Sequence, residues 1–295
     1  MLSRFLRGAR VAACAIAFTP SALAGNFDSV VDNALAVWTQ PDGTEAEDSD
    51  ARRQAEFMFG RSLFILYHEF GHAIIEGHKV HVIAQEEAIA DAFAGLYMIS
   101  DDADPARDAL AKGAVRSFMD RAKRQTDNGN VDYAQPHLFD AQRGFNAICM
   151  FLGSAGEARF GDVADEFELP ASRREYCASE LTDFSGKFTS TLPDNAFVAD
   201  GKTSTNRITI TYDEAPEDLK RVAELLKASG LLEAFAAEVE ALFELPRPIK
   251  MTAQDCGGVP NMTYYEDEAQ IQVCYEYFQT YQEMAIEMRY PGSAE

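Results

Sequence analysis

The sequence predicts an α+β fold, mainly helical, with a small three- to four-stranded sheet drawn from its C-terminal part. Three observations point there. Phe57, Met58, Phe59, Leu63, Phe64, Ile65 and Leu66 make a run that is apolar nearly all round, the pattern of a helix covered on every side. Residues 85–94 are rich in Ala and Glu, which favour helix. Beyond residue 203 the period changes. Residues 207–212 read R-I-T-I-T-Y, and 249–253, 262–266 and 269–275 also alternate as half-buried strands do. Strands segregated from helices in this way indicate α+β rather than a βαβ repeat.

In chain order, Arg4, Arg7 and Arg10 form a basic start. Residues 11–18 are a short apolar core, and Ala22-Leu23-Ala24 is an A-x-A cleavage site. We therefore expect residues 1–24 to be a removed signal peptide and the mature protein to be periplasmic or secreted. No later run approaches the ~20 apolar residues of a membrane span. Cys14 leaves with the leader, so Cys149, Cys177, Cys256 and Cys274 remain. In an exported chain an even count points to disulfides. Three pairings are possible; proximity favours Cys149–Cys177 and Cys256–Cys274, the alternative being buried free thiols. The formal charge is −22, and loss of three arginines makes it −25. Such a surface repels nucleic acid and anionic lipid. The mature length, 295 less 24 or 271 residues, suffices for one large core or two modest ones.

Residues 27–38 have helical spacing of Phe27, Val30, Val31, Leu35 and Trp38, the only tryptophan, which reads as core. Residues 41–50 are an acidic loop, and a long helix is expected from about 51 to 76. His78 and His81 fall in a connector and read as exposed rather than as ligands. A second helix spans 86–100. Pro105 suits the first turn of a third, to residue 124. Residues 125–135 read as a polar loop and 136–152 as a helix carrying His137, Asp140 and Arg143. Residues 183–203, rich in Ser, Thr, Gly, Asp and Pro, are the expected linker. Helices at 216–228 and 231–243 and a closing helix at 277–288 complete the chain.

The long helix carries Tyr67-His68-Glu69-Phe70-Gly71-His72, an H-E-x-x-H motif. Residues four apart share a helix face, so His68 and His72 can hold one metal ion with Glu69 at its flank. Zinc lowers the pKa of a bound water from about 15.7 to about 7, and a neighbouring carboxylate can take the proton. Gly71 lets another segment pass close. H-E-x-x-H also arises by accident, but two of only five histidines at ligand spacing on a buried helix argue against it. Buried polar groups without partners are costly. Glu87 and Asp91 also share a face. Glu87 is the expected third ligand, and Asp91 the acceptor that fixes a histidine tautomer. Glu86 reads as a solvated acid at a helix start.

H-E-x-x-H followed by E-x-x-A-D resembles the glutamate-type zincins, such as the thermolysin-like metallopeptidases. "LYHEFGHAII" with "EEAIADAFA" is similar, more closely, to a family of uncharacterised bacterial zinc metallopeptidases. The likeness continues through "HLFDAQRGFNAICMFLGS", "LPASRREYC", "LPRPIKMTAQDCG" and "MTYYEDEAQIQVCYE". In that family the segment with two cysteines and "CYE" precedes the metal helix; here it follows, which implies a permuted order or an appended copy. The resemblance implies a zincin-like metallopeptidase core. It also implies a helical zinc-binding part at 25–182 and an α+β part at 204–295 packed over the metal site, offering Tyr264, Tyr265, Tyr275 and Glu276 to a cleft. His137 and Arg143 are spaced like a His…Arg pair of some glutamate-type zincins and could face an oxyanion; the other reading is a capping histidine and a surface arginine.

The expectation is thus an exported zinc metallopeptidase acting on a peptide or protein substrate, with one Zn2+ on His68, His72 and Glu87 and Glu69 as general base. The alternative is a catalytically silent zincin-fold binding or scaffold protein that retains zinc. Glu69 and an incomplete ligand set favour the enzyme, because structural zinc usually has four protein ligands.

Overall fold

A computed structural model describes residues 27–38, 48–82, 85–100, 102–199 and 201–288. The leader at 1–24 and most of the acidic loop at 41–50 lie outside these residues. The described chain has ten helices and one four-stranded sheet. The helices are α1 (Asp28–Leu35), α2 (Asp48–Gly77), α3 (Glu86–Tyr97), α4 (Pro105–Asp127), α5 (Asp140–Ala155), α6 (Glu157–Glu166), α7 (Ala171–Thr191), α8 (Lys220–Ser229), α9 (Leu231–Leu242) and α10 (Tyr275–Glu287). The strands are β1 (Ile208–Tyr212), β2 (Ile249–Gln254), β3 (Met262–Tyr265) and β4 (Gln270–Cys274).

The axis of the molecule is α2, thirty residues long. Phe57, Met58, Phe59, Leu63, Phe64, Leu66, Tyr67, Phe70 and Ile74 are all at most 1% exposed. Helices α1, α3, α4, α9 and α10 and strand β3 all pack on it. The α2–α4 crossing is set by glycine. A Cβ on Gly60 would lie 2.0 Å from the Leu110 carbonyl oxygen, and one on Gly113 would lie 2.0 Å from that of Glu56. Side-chain atoms at these points would hold the two backbones apart. At Gly71 the close neighbour is α3, through Ala90 and Phe93.

The sheet has the order β1-β2-β4-β3. β1–β2 and β2–β4 are parallel, and β3 runs antiparallel to β4 with Tyr264 opposite Ile271. Ile249, Met251, Ala253, Ile271 and Val273 are buried, as the alternation predicts. β3 is an edge strand, and that edge lies against α2. Across the molecule the buried Arg107 on α4 makes a two-pronged pair with Glu238 on α9, at 2.9 and 2.7 Å. Arg107 also donates to the Tyr67 hydroxyl at 2.8 Å, so the charge is matched and the two parts of the chain are joined through α2. α1 and α10 both meet α8. That places the first and last described helices around one neighbour. The bridges are Cys149–Cys177, joining α5 to α7, and Cys256–Cys274.

Two expectations need correction. The stretch 183–203 is not a linker throughout, because α7 runs on to Thr191. Phe184 stacks on Phe188, and Phe188 packs against Phe93 in the core. The hydroxyls of Thr182, Ser185, Ser190 and Thr191 turn back to carbonyls three or four residues earlier, which lets a Ser/Thr-rich segment stay helical. The helix expected at 136–152 begins only at Asp140. The Phe139 N–H donates to the Gln142 side chain at 3.2 Å and marks the start. His137 therefore lies on the approach to α5, not on a helix face shared with Arg143.

The α2–α4 crossing gives a direct test. Gly113→Ala should lower stability by about 3 kcal/mol, the upper range for overpacking, because the clash is with backbone. Gly186→Ala, where an added Cβ meets nothing within 4 Å, should raise it by about 0.5–1 kcal/mol. Thermal or denaturant unfolding reads both; equal effects would contradict the crossing described.

Candidate metal centre

Little more than one turn of α2 aims His68, Glu69 and His72 into a cleft of about 620 Å³. The helix is the floor. α3 contributes Glu86 and Glu87, the approach to α5 contributes His137, and β3 forms the rim with Tyr264. A buried amphiphile would not place polar groups here. They are tolerated because each has a partner.

His68 is 1% exposed, and its Nδ1–H donates to Asp91 Oδ1 at 2.8 Å. Asp91 is held in turn by Arg143, whose Nε and Nη2 donate to Oδ2 and Oδ1 at 2.8 and 2.6 Å. His72 Nδ1–H donates to Glu86 Oε1 at 2.7 Å. With Nδ1 used as the donor, each ring in its neutral form carries its lone pair on Nε2. Those lone pairs converge. The two Nε2 atoms are 3.2 Å apart, and Glu87 Oε2 lies 3.1 Å from one and 3.5 Å from the other. The donor atoms of His68, His72 and Glu87 all fall within 4.8 Å of one another. Three electron-rich atoms facing one another need a positive charge between them, and two imidazoles with a carboxylate suit a divalent transition ion.

When no cation is bound, the same crowding of acceptors draws protons onto the rings. Burial alone would push the His68 imidazole down, but its bonds to Asp91 and Glu87 raise it overall. For His72 burial is likewise outweighed by Glu87 and Glu86, and the ring is pushed up to about 9. Hydrogen bonding from His137, then from His68 and His72, holds Glu87 far below the carboxylate range. Burial would raise Asp91, yet Arg143 and His68 bring it down to about 2. Glu69 moves the other way. Burial raises it, against His68, His72 and the Tyr264 N–H, which donates to Oε2 at 2.7 Å.

His68, Glu69, His72, Glu87 and Asp91 thus come together. His137 joins them, with Nε2 2.8 Å from Glu87 Oε2. Arg143 lies behind the site, with two of its donors on Asp91. Glu86 is exposed in the first turn of α3, as expected, and also accepts from His72. Tyr264 reaches the site through its backbone N–H. Tyr275 and Glu276 serve elsewhere: the Tyr275 hydroxyl donates to the Asp213 carbonyl, and Glu276 accepts from the N–H groups of Cys256 and Gly258. His81 is exposed, and neither it nor His78 belongs to the cluster. The acceptor role of Glu86 had one signal in the sequence, its place one residue before Glu87 on the same helical turn.

No curated protein and no solved structure matches the chain. A family described as "Putative metallopeptidase" matches residues 34–192 and 212–294. Those segments take in α2 with its H-E-x-x-H, α3 with Glu87, and the strands that rim the cleft. A match over most of the chain places the protein in that metallopeptidase family.

Proposed function

We propose that the protein is an exported, zinc-dependent peptidase that hydrolyses peptide bonds, with His68, His72 and Glu87 holding the metal and Glu69 acting as general base. One observation carries this reading: three convergent donor atoms, two from α2 and one from α3, stand beside Glu69, a buried carboxylate on α2. When bound, zinc supplies Lewis acidity toward water and a carbonyl oxygen. Glu69 takes the proton. Its burial makes it a stronger base than a solvated carboxylate, and the Tyr264 N–H fixes one of its oxygens. Asp91 and Arg143 hold the His68 ring in the tautomer that presents Nε2. His137, with a side chain 36% exposed at the cleft, is placed to donate to the oxyanion that forms on the substrate carbonyl. Arg143 supports this chemistry through Asp91 rather than by touching substrate.

Export is supported by the two disulfides. Among the described residues no helix is long and apolar enough to cross a membrane. A zinc-retaining, non-cleaving protein is the second reading. The observation in its favour is that Glu69 Oε2 already has a backbone partner in Tyr264.

Zinc content and hydrolysis of a mixed peptide library, measured for wild type and Glu69→Gln, separate the two. We expect zinc in both proteins and a loss of cleavage of about 10²- to 10⁴-fold in the variant. Zinc in both with cleavage by neither supports the binding reading. Asp91→Asn tests the support of His68: competition with a chelator should show metal affinity reduced about 10- to 100-fold. Unchanged affinity in a folded variant would remove Asp91 from the site.

A further inference from the structure

Four residues bounding the other end of the cleft take no part in the chemistry above: Arg61, Arg121, Asp140 and Tyr277. Arg61 is 3% exposed. Its guanidinium lies 3.7 Å over the Phe118 ring, its Nε donates to the Tyr277 hydroxyl at 3.2 Å, and its Nη2 is 3.4 Å from Asp140 Oδ1. Arg121 Nε is 3.1 Å from the other oxygen of the same carboxylate, and its Nη1 donates to the Tyr281 hydroxyl at 2.9 Å. Two cations share one anion. Arg61 Nη1 is buried with no hydrogen-bond partner among the described residues. The Arg121 side chain is 43% exposed. The Tyr277 oxygen accepts from Arg61, which leaves its own O–H free to donate.

A local excess of positive charge is out of character for a chain of net charge −22. If the pair served packing alone, one arginine with Asp140 would suffice, and the second would not be turned toward the cleft. The opposite end, past His72, carries Glu76 and Glu266, with Arg247 paired to Glu76 at 2.7 Å.

Resting on the peptidase reading, we infer that Arg61, Arg121 and Tyr277 form a subsite for a substrate carboxylate and set the specificity of the enzyme. Helix α2 gives the ruler. Arg61 precedes His68 by seven residues, or about 10 Å at 1.5 Å per residue. An extended peptide rises about 3.3 Å per residue, so the carboxylate belongs about three residues from the bond cut. An acidic side chain and a free C-terminus present the same group.

The test uses acetylated octapeptides that differ only by Glu, Gln or Lys at one scanned position, each made as the free acid and as the C-terminal amide. Affinity is measured by calorimetry with zinc-loaded Glu69→Gln, and kcat/KM with the wild-type enzyme. We expect one carboxylate position to be favoured by about 10- to 100-fold, as charge-assisted hydrogen bonds allow. The preference should fall to about one in Arg121→Gln and turn toward Lys over Glu in Arg121→Glu. Arg121 is chosen because its exposed side chain can be replaced without opening the core. A preference that survives amidation assigns the subsite to a side chain; one that vanishes on amidation assigns it to the C-terminus; either supports it. Equal affinity across the scan, or a preference unchanged in Arg121→Glu, overturns it. Cleavage without acidic preference sinks the subsite and leaves the peptidase standing. Acidic preference in binding without cleavage does the reverse.

Discussion

Charge placed on a helix that has almost no solvent face must be matched where it stands. On α2 the buried face carries Arg61, His68 and Glu69, each under a tenth exposed, and water cannot screen them. The fold answers with a partner from a different element for each: Asp140 from α5, Asp91 from α3, and a backbone N–H from β3. Much of the molecule's architecture follows from supplying those partners. α3 must pass close enough for Asp91 to reach the His68 ring, and Gly71 permits it. α5 must bring Arg143 to Asp91, because a second buried carboxylate would otherwise be unmatched.

The result is a relay of fixed orientations. Arg143 fixes Asp91, Asp91 fixes His68, and the Nε2 lone pair of His68 is left pointing at those of His72 and Glu87. Each link is a charge-assisted hydrogen bond in a medium of low dielectric constant, where such bonds are strongest. The cluster of His68, His72 and Glu87 is thus held rigid by groups outside it. Glu69 stands outside this relay and is steadied from the opposite wall, so it and the cluster are positioned by separate parts of the chain.

The sequence made the helical majority, the C-terminal strands and the cluster His68, Glu69, His72, Glu87 and Asp91 legible, because their spacing is local and helical period converts it into geometry. The pairing of cysteines was legible for a similar reason: partners are near in sequence. What was not legible depends on contacts between distant segments. Glu86 is solvated as its place implies, but its bond to His72 shows only once α3 lies beside α2. Arg61 precedes the motif by two turns and reads as an ordinary polar residue; only the approach of α4, α5 and α10 shows that it borders the cleft. Residues 183–191 have a linker's composition. Yet Phe184 and Phe188 hold them in a helix, and short hydroxyls bond locally instead of disrupting it. The Tyr264 N–H carries no side-chain signature at all.

The bridge between Cys256 and Cys274 spans 18 positions and encloses β3 entirely. The rim of the cleft is therefore a closed loop of backbone, with its turn and register defined by covalent connection before it meets the long helix. His68, His72 and Glu87 all lie outside that loop. Convergence of these three groups and ordering of the rim are in consequence separable: a thiol-reduced chain keeps all three while the strand that steadies the carboxylate of Glu69 loses its tether.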